Sequence, residues 1–201
     1  MAAAVAVARQ HGGGDPTVAT VGGKRITRSK LELMVQHFHE EADAEGRPFP
    51  TSGSGAYRRV ERQSLAFLLD RAKLEAAAAR AGVHVDDGEV ERRLRAAAPG
   101  GEAREAVQTK AAAAFARSTA HTQLVTEKVF ERVTAGVAVG PAAARAYYRI
   151  HRAQYGSVPY RELAASLRRQ VLSARKNAVM ARWVARARTI RAVIFDRALA
   201  G

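Results

Sequence analysis

The chain has 201 residues, a formal net charge of +14 and no cysteine, which suits one domain with or without a short appendage and excludes disulfide-stapled scaffolds and thiol chemistry. It is 47% hydrophobic but only 6% aromatic, and alanine buries little area per residue, so the composition describes a thin, elongated core. The charge is uneven: thirteen of the 33 Lys and Arg residues but only two acids, Glu162 and Asp196, follow position 141.

In chain order, Ala2 to Ala8 is apolar but too short to span a bilayer. The polar, glycine-rich stretch Arg9 to Pro16 follows, so residues 1–16 read as a flexible segment. Two origins stay open for it: the remnant of an export anchor, or a plain cytoplasmic tail. Thr17 to Ile26, TVATVGGKRI, reads as two strands around a tight turn at Gly22-Gly23. Thr27 caps a helix whose apolar stripe is Leu31, Met34, Val35 and Phe38. After the loop Glu45 to Gly55, a long helix from about Tyr57 to Ala81 buries Val60, Phe67, Leu68 and Leu74. Gly82 stands where a helix end needs a left-handed residue, with Val83 as its apolar partner. Asp86 and Glu89 form a capping box for the next helix, flanked by Val85 and Val90 as a hydrophobic staple.

Pro99-Gly100-Gly101 breaks the chain, and Glu102 to Ala135 is again helical, with Val107, Phe115, Val125, Val129 and Val133 apolar. Ala135-Gly136-Val137-Ala138-Val139 echoes Ala81-Gly82-Val83-His84-Val85, which predicts a second elbow of the same construction; Gly140-Pro141 then opens a helix through Tyr147-Tyr148. Past a break at Tyr155 to Pro159, Tyr160 to Arg188 forms one helix with Leu163, Leu167, Val171, Ala174, Ala178, Ala181 and Ala185 on one face. Ile190 to Phe195 reads as a strand that pairs with the first one and ties the ends together. The fold class is mainly α: an elongated multi-helix domain, residues 17–201, closed by a small sheet pairing N- and C-terminal strands.

Candidate chemistry is sparse. In His37-Phe38-His39-Glu40-Glu41 only His37 and Glu41 share a helical face, and Asp43 stands where a zinc-protease motif needs histidine. Val21-Gly22-Gly23-Lys24-Arg25 lacks the first glycine and the hydroxyl of a phosphate loop. No catalytic residue, metal or cofactor is assigned. Arg161, Arg168, Arg175 and Arg182 recur every seven residues and, with Arg186, form a basic ridge opposite the alanine face. Nucleic acid, anionic lipid or an acidic client suits such a ridge, as does plain solvent.

Val21-Gly22-Gly23-Lys24-Arg25-Ile26-Thr27, Leu68-Leu69-Asp70-Arg71 through Val90, and Ala146-Tyr147-Tyr148 together resemble the N-terminal chaperone domain of SurA-like periplasmic chaperones and PrsA-type foldases. That family usually has asparagine or aspartate where this chain has Gly22. It also commonly carries a parvulin-type prolyl isomerase domain between the Tyr-Tyr helix and the last helix, where here only Tyr155 to Pro159 stands. The resemblance implies a chaperone body without the isomerase, extracytoplasmic or membrane-associated, binding extended apolar segments of exported proteins. Phe38, Phe67, Phe115, Tyr147, Tyr148 and Trp183 are the expected aromatic contacts with such clients. Two alternatives remain: a nucleic-acid-associated protein using the basic helix, and a peptidyl-prolyl isomerase relative by descent.

Overall fold

A glycine pair closes the first hairpin. In the computed structural model, which describes residues 14–97 and 109–199, β1 (Thr17–Val21) and β2 (Lys24–Thr27) pair antiparallel with Val21 opposite Lys24. Gly22 and Gly23 take φ of +54° and +83°, the left-handed pair that a type I′ turn requires. A Cβ on Gly22 would lie 2.8 Å from the Cβ of Ala76, so asparagine, which tolerates the dihedral, would still collide with the helix beneath. β3 (Ala192–Ile194) completes a sheet of order β2-β1-β3, antiparallel to β1 with Ala19 opposite Ile194. The expected pairing of first and last strands is present, although β3 is shorter than Ile190 to Phe195. Beyond its end, the Phe195 N–H still donates to the Val18 carbonyl at 2.9 Å.

Side-chain caps set most helix starts. The hydroxyl of Thr27 accepts from the Lys30 N–H at the head of α1 (Arg28–Ala44), and that of Ser54 accepts from Tyr57 N–H at the head of α2 (Gly55–Arg80). Before α3 (Asp87–Ala97), Asp86 Oδ1 accepts from Glu89 N–H at 2.9 Å and Glu89 Oε2 accepts from Asp86 N–H at 3.0 Å. These are the reciprocal bonds of a capping box. Thr109 caps α4 (Lys110–Thr134), and Pro141 opens α5 (Pro141–Ile150). A 3₁₀ turn at Arg152–Tyr155 leads into α6 (Tyr160–Arg188), with no domain inserted between the two helices. The expected break at Pro99-Gly100-Gly101, the first part of the helix expected from Glu102 (Val107 included), and most of the N-terminal segment lie outside the described residues.

At the end of α2, Gly82 has φ +72°. Val83 N–H bonds the Ala78 carbonyl at 2.9 Å and Gly82 N–H the Ala79 carbonyl at 3.0 Å, the paired bonds of a Schellman motif. The echo at Gly136 does not repeat this. Gly136 is not among the positive-φ glycines, and Val137 N–H bonds Thr134 O at 3.0 Å instead of reaching back a further two residues. Arg175 on α6 donates to the Ala138 carbonyl of this second elbow at 3.2 Å. The device recurs instead at the end of α1, where Gly46 has φ +66° and Arg47 N–H bonds Ala42 O at 2.8 Å. Arg47 is polar, so the apolar residue that advertises such a cap is missing there.

Two apolar clusters share α2. The first joins Val18, Val21 and Ile26 of the hairpin to Leu31 and Val35 of α1, Leu65 and Leu68 of α2, and Leu199. The second gathers Ala78, Val83, Val125 and Val129, with Met180 and Trp183 packed against them. The inner face of α6 departs from expectation. Leu167 and Val171 are buried as expected, but Ala174, Ala178, Ala181 and Ala185 are exposed. Farther along, Met180 and Trp183 pack against the second cluster and Ala187 is buried, a face turned away from that of Leu167 and Val171 by the helical period. Phe67, expected inside α2, is 38% exposed. The buried face of that helix comprises Ser64, Leu65, Leu68, Arg71, Ala72, Ala76 and Ala78.

Candidate functional site

The helical period places Phe67, Arg71 and Leu74 along one flank of α2, and α4 sets Phe115, Thr119, Thr122 and Thr126 across from them. Between these rows runs an open hollow of about 610 Å³. The Phe67 and Phe115 rings stand 6.3 Å apart with planes 21° from parallel. Phe67 also borders a second hollow of about 410 Å³, lined by Phe38, Phe49, Pro50 and Val60. One exposed ring thus joins two apolar hollows into a trough that crosses α2.

Arg71 is the unexpected member of this site. It is 8% exposed, at a position where the apolar stripe of α2 would ordinarily carry a leucine. Its Nε donates to Thr122 Oγ1 at 2.8 Å and its Nη2 to Thr119 Oγ1 at 3.3 Å. The guanidinium carbon lies 4.8 Å from the Phe67 ring centre and 6.0 Å from that of Phe115. Nη1 is buried with no acceptor among the described residues. Burial pushes the guanidinium below its ordinary pKa, while the charge of Glu75 pulls the other way. Glu75 itself faces Lys24 at 2.9 Å and His121 at 3.5 Å. At the rim, Glu127 is held by Arg93, whose hydrogen bond keeps that carboxyl below its usual range, and Asp70 stands 4.0 Å from Lys73.

Of the six aromatics expected at a client surface, Phe38, Phe67 and Phe115 converge on the trough. Tyr147 stacks on His151 and accepts from Gln170 Nε2 at 3.0 Å, and Tyr148 donates to the Val158 carbonyl at 2.7 Å, so both sit in the α5–α6 hairpin. Trp183 packs into the second cluster. His37 stacks on Phe115 with ring centres 3.9 Å apart, and His39 on Phe49 at 4.4 Å, so both rings serve packing. Among the described residues no three His, Asp or Glu side chains converge on a point that could hold a metal. Arg161, Arg168, Arg175, Arg182 and Arg186 are exposed along α6. Arg175 is partly engaged by Ala138, and the ridge flanks the buried face rather than lying opposite it. Sequence reasoning missed Arg71, Thr119 and Thr122, and it read Leu74 only as part of the buried face of α2. The available signal was an arginine three residues after Leu68, on the apolar stripe of α2.

Residues 2–101 match the sequence profile of the SurA-like N-terminal domain. The N-terminal half of the chain belongs to that family. No curated protein and no solved structure matches it. Within this SurA-like chain the matched residues contain β1 to α3, and so the Phe38, Phe67 and Arg71 wall of the trough. The wall carrying Phe115, Thr119 and Thr122 comes from beyond them. No helix among the described residues is long and apolar enough to cross a membrane.

Proposed function

We propose that this protein is a non-catalytic chaperone module that shelters extended apolar segments of exported polypeptides. The observation that carries this reading is the trough joined by Phe67: an aromatic side chain kept at the surface, flanked by Phe38 and Phe115, on a chain whose SurA-like fold is of a chaperone type. Isolated exposed apolar residues are ordinary, but contiguous apolar hollows mark binding surfaces. Weak, reversible burial of client side chains needs no nucleotide or metal. SurA-like domains typically work outside the cytoplasm, where extended, unfolded chains are the available partners.

Residues 17–201 act as one holding unit in this reading, with Phe38, Phe67 and Phe115 as the client contacts and Tyr147, Tyr148 and Trp183 shaping the helices behind them. The exposed arginines of α6 speed encounter with acidic clients through long-range attraction. The test is aggregation of a denatured client followed by light scattering. Substoichiometric to few-fold excess protein should suppress scattering, and Phe67→Ser should weaken suppression several-fold at a temperature where circular dichroism shows the variant still folded. No suppression by the native chain at several-fold excess rejects the proposal. Tight, steeply salt-dependent binding of DNA or RNA that is lost on charge reversal of Arg168, Arg182 and Arg186 would favour a nucleic-acid role instead.

A further inference from the structure

A guanidinium sunk into an apolar wall is costly unless its donors are satisfied, and a carboxylate normally supplies the matching acceptors. At Arg71 two threonine hydroxyls take Nε and Nη2, Nη1 has no acceptor, and no carboxylate of the described residues bonds the group. The nearest acid that influences it, Glu75, is occupied by Lys24 and His121. The rim acids do not fill the vacancy either, because Glu127 is tied to Arg93 and Asp70 points toward Lys73. The charge borders the larger hollow of the trough, between the Phe67 and Phe115 rings.

We propose that Arg71 makes the trough selective for client segments carrying an acidic side chain beside an apolar one. The thioether, aliphatic or aromatic neighbour fills the hollow between Phe67, Leu74 and Phe115, and the Asp or Glu carboxylate accepts from the guanidinium. Phe67 gates this contact: its ring covers the guanidinium at 4.8 Å yet is itself 38% exposed, so it can swing aside as the carboxylate enters. Thr119 and Thr122 hold the guanidinium plane so that little ordering remains to be done on binding. The inference rests on the trough being the client surface.

The experiment compares two labelled peptides of leucine, phenylalanine and serine that differ only in a central Glu or Gln, titrated with the full chain and read by fluorescence anisotropy. The Glu peptide should bind about tenfold more tightly, the size of one charge-assisted hydrogen bond. In Arg71→Met the two affinities should become equal. Should that variant melt below the working temperature, Thr122→Val keeps the charge but loses its orientation, and should cut the preference by at least half. Equal affinities in the native chain overturn the proposal, as does a preference that survives in folded Arg71→Met. So does discrimination confined to a free C-terminal carboxylate against its amide. Failure of the native chain to bind either peptide counts against the chaperone reading itself, a result distinct from equal binding.

Discussion

Gly22 is held by two independent constraints, its dihedral and its neighbour. Its φ of +54° disfavours any residue with a Cβ, and that Cβ would in addition meet Ala76 at 2.8 Å. Gly23 shares the left-handed dihedral, but a Cβ there would have nothing within 4 Å. Alanine at Gly23 should therefore cost about 1 kcal/mol in urea denaturation, the usual penalty of the left-handed region, and alanine at Gly22 distinctly more. Measured against Ala76→Gly alone, which carries its own cost in the helix, adding Gly22→Ala should cost only the dihedral penalty. The turn itself was legible, because a glycine pair between alternating segments has one dominant solution. The reason for glycine over asparagine was not, since Ala76 lies far along the sequence. Arg71 was illegible in the same sense: its position on the stripe of α2 could be read, but its threonine partners on α4 could not.

Among the elements, α3 shows how local chemistry turns into a measurable pH dependence. Lys128 donates to Glu89 Oε2 at 2.7 Å, and this bond, followed by the one from Asp86 N–H, holds the Glu89 carboxyl below its usual pKa. A depressed carboxyl contributes stability above its unfolded pKa and loses it as pH falls through the folded one. Stability should thus decline from about pH 4.3 downward. Glu89→Gln should be less stable than the native chain at pH 7 and should lose less between pH 6 and pH 3, measured as urea midpoints. The two elbows offer a second comparison. Gly82→Ala should cost about 1 kcal/mol, whereas Gly136→Ala, at ordinary φ, should be neutral or slightly stabilising in the same assay. Caps carried by neighbouring residues were readable in the sequence. The look-alike elbow at Gly136 was misleading because a matching residue pattern does not fix the glycine dihedral, and the inner face of α6 was misread because alanine periodicity says nothing about which partners the helix meets.

For the whole molecule, α2 is the shared wall of both apolar clusters, with Leu65 and Leu68 in one and Ala78 in the other. A helix common to two cores couples their unfolding. Leu65→Ala, at a side chain 1% exposed, should cost about 2–5 kcal/mol. Fluorescence of Trp183, the single tryptophan and a member of the other cluster, should report the same lowered midpoint as far-UV circular dichroism. Separate midpoints for the two probes would show that the clusters melt independently. The closure of the sheet was legible because apolar, branched segments at opposite ends of a helical chain have few other places to go. Its energetic consequence depends on α2, whose double role only the packing reveals.

The pairing of β1 with β3 also determines how the molecule answers tension. Because the strands run antiparallel with Ala19 opposite Ile194 and Val21 opposite Ala192, the outer ends of both strands emerge at the same edge. A pull on the two ends therefore loads the hydrogen bonds one after another, as a zipper opens, and not all together in shear. A pull on the C-terminal end must first draw Leu199 out of the first cluster and part Asp196 from Arg28, after which β3 unzips while the hairpin and the helices behind it stay assembled.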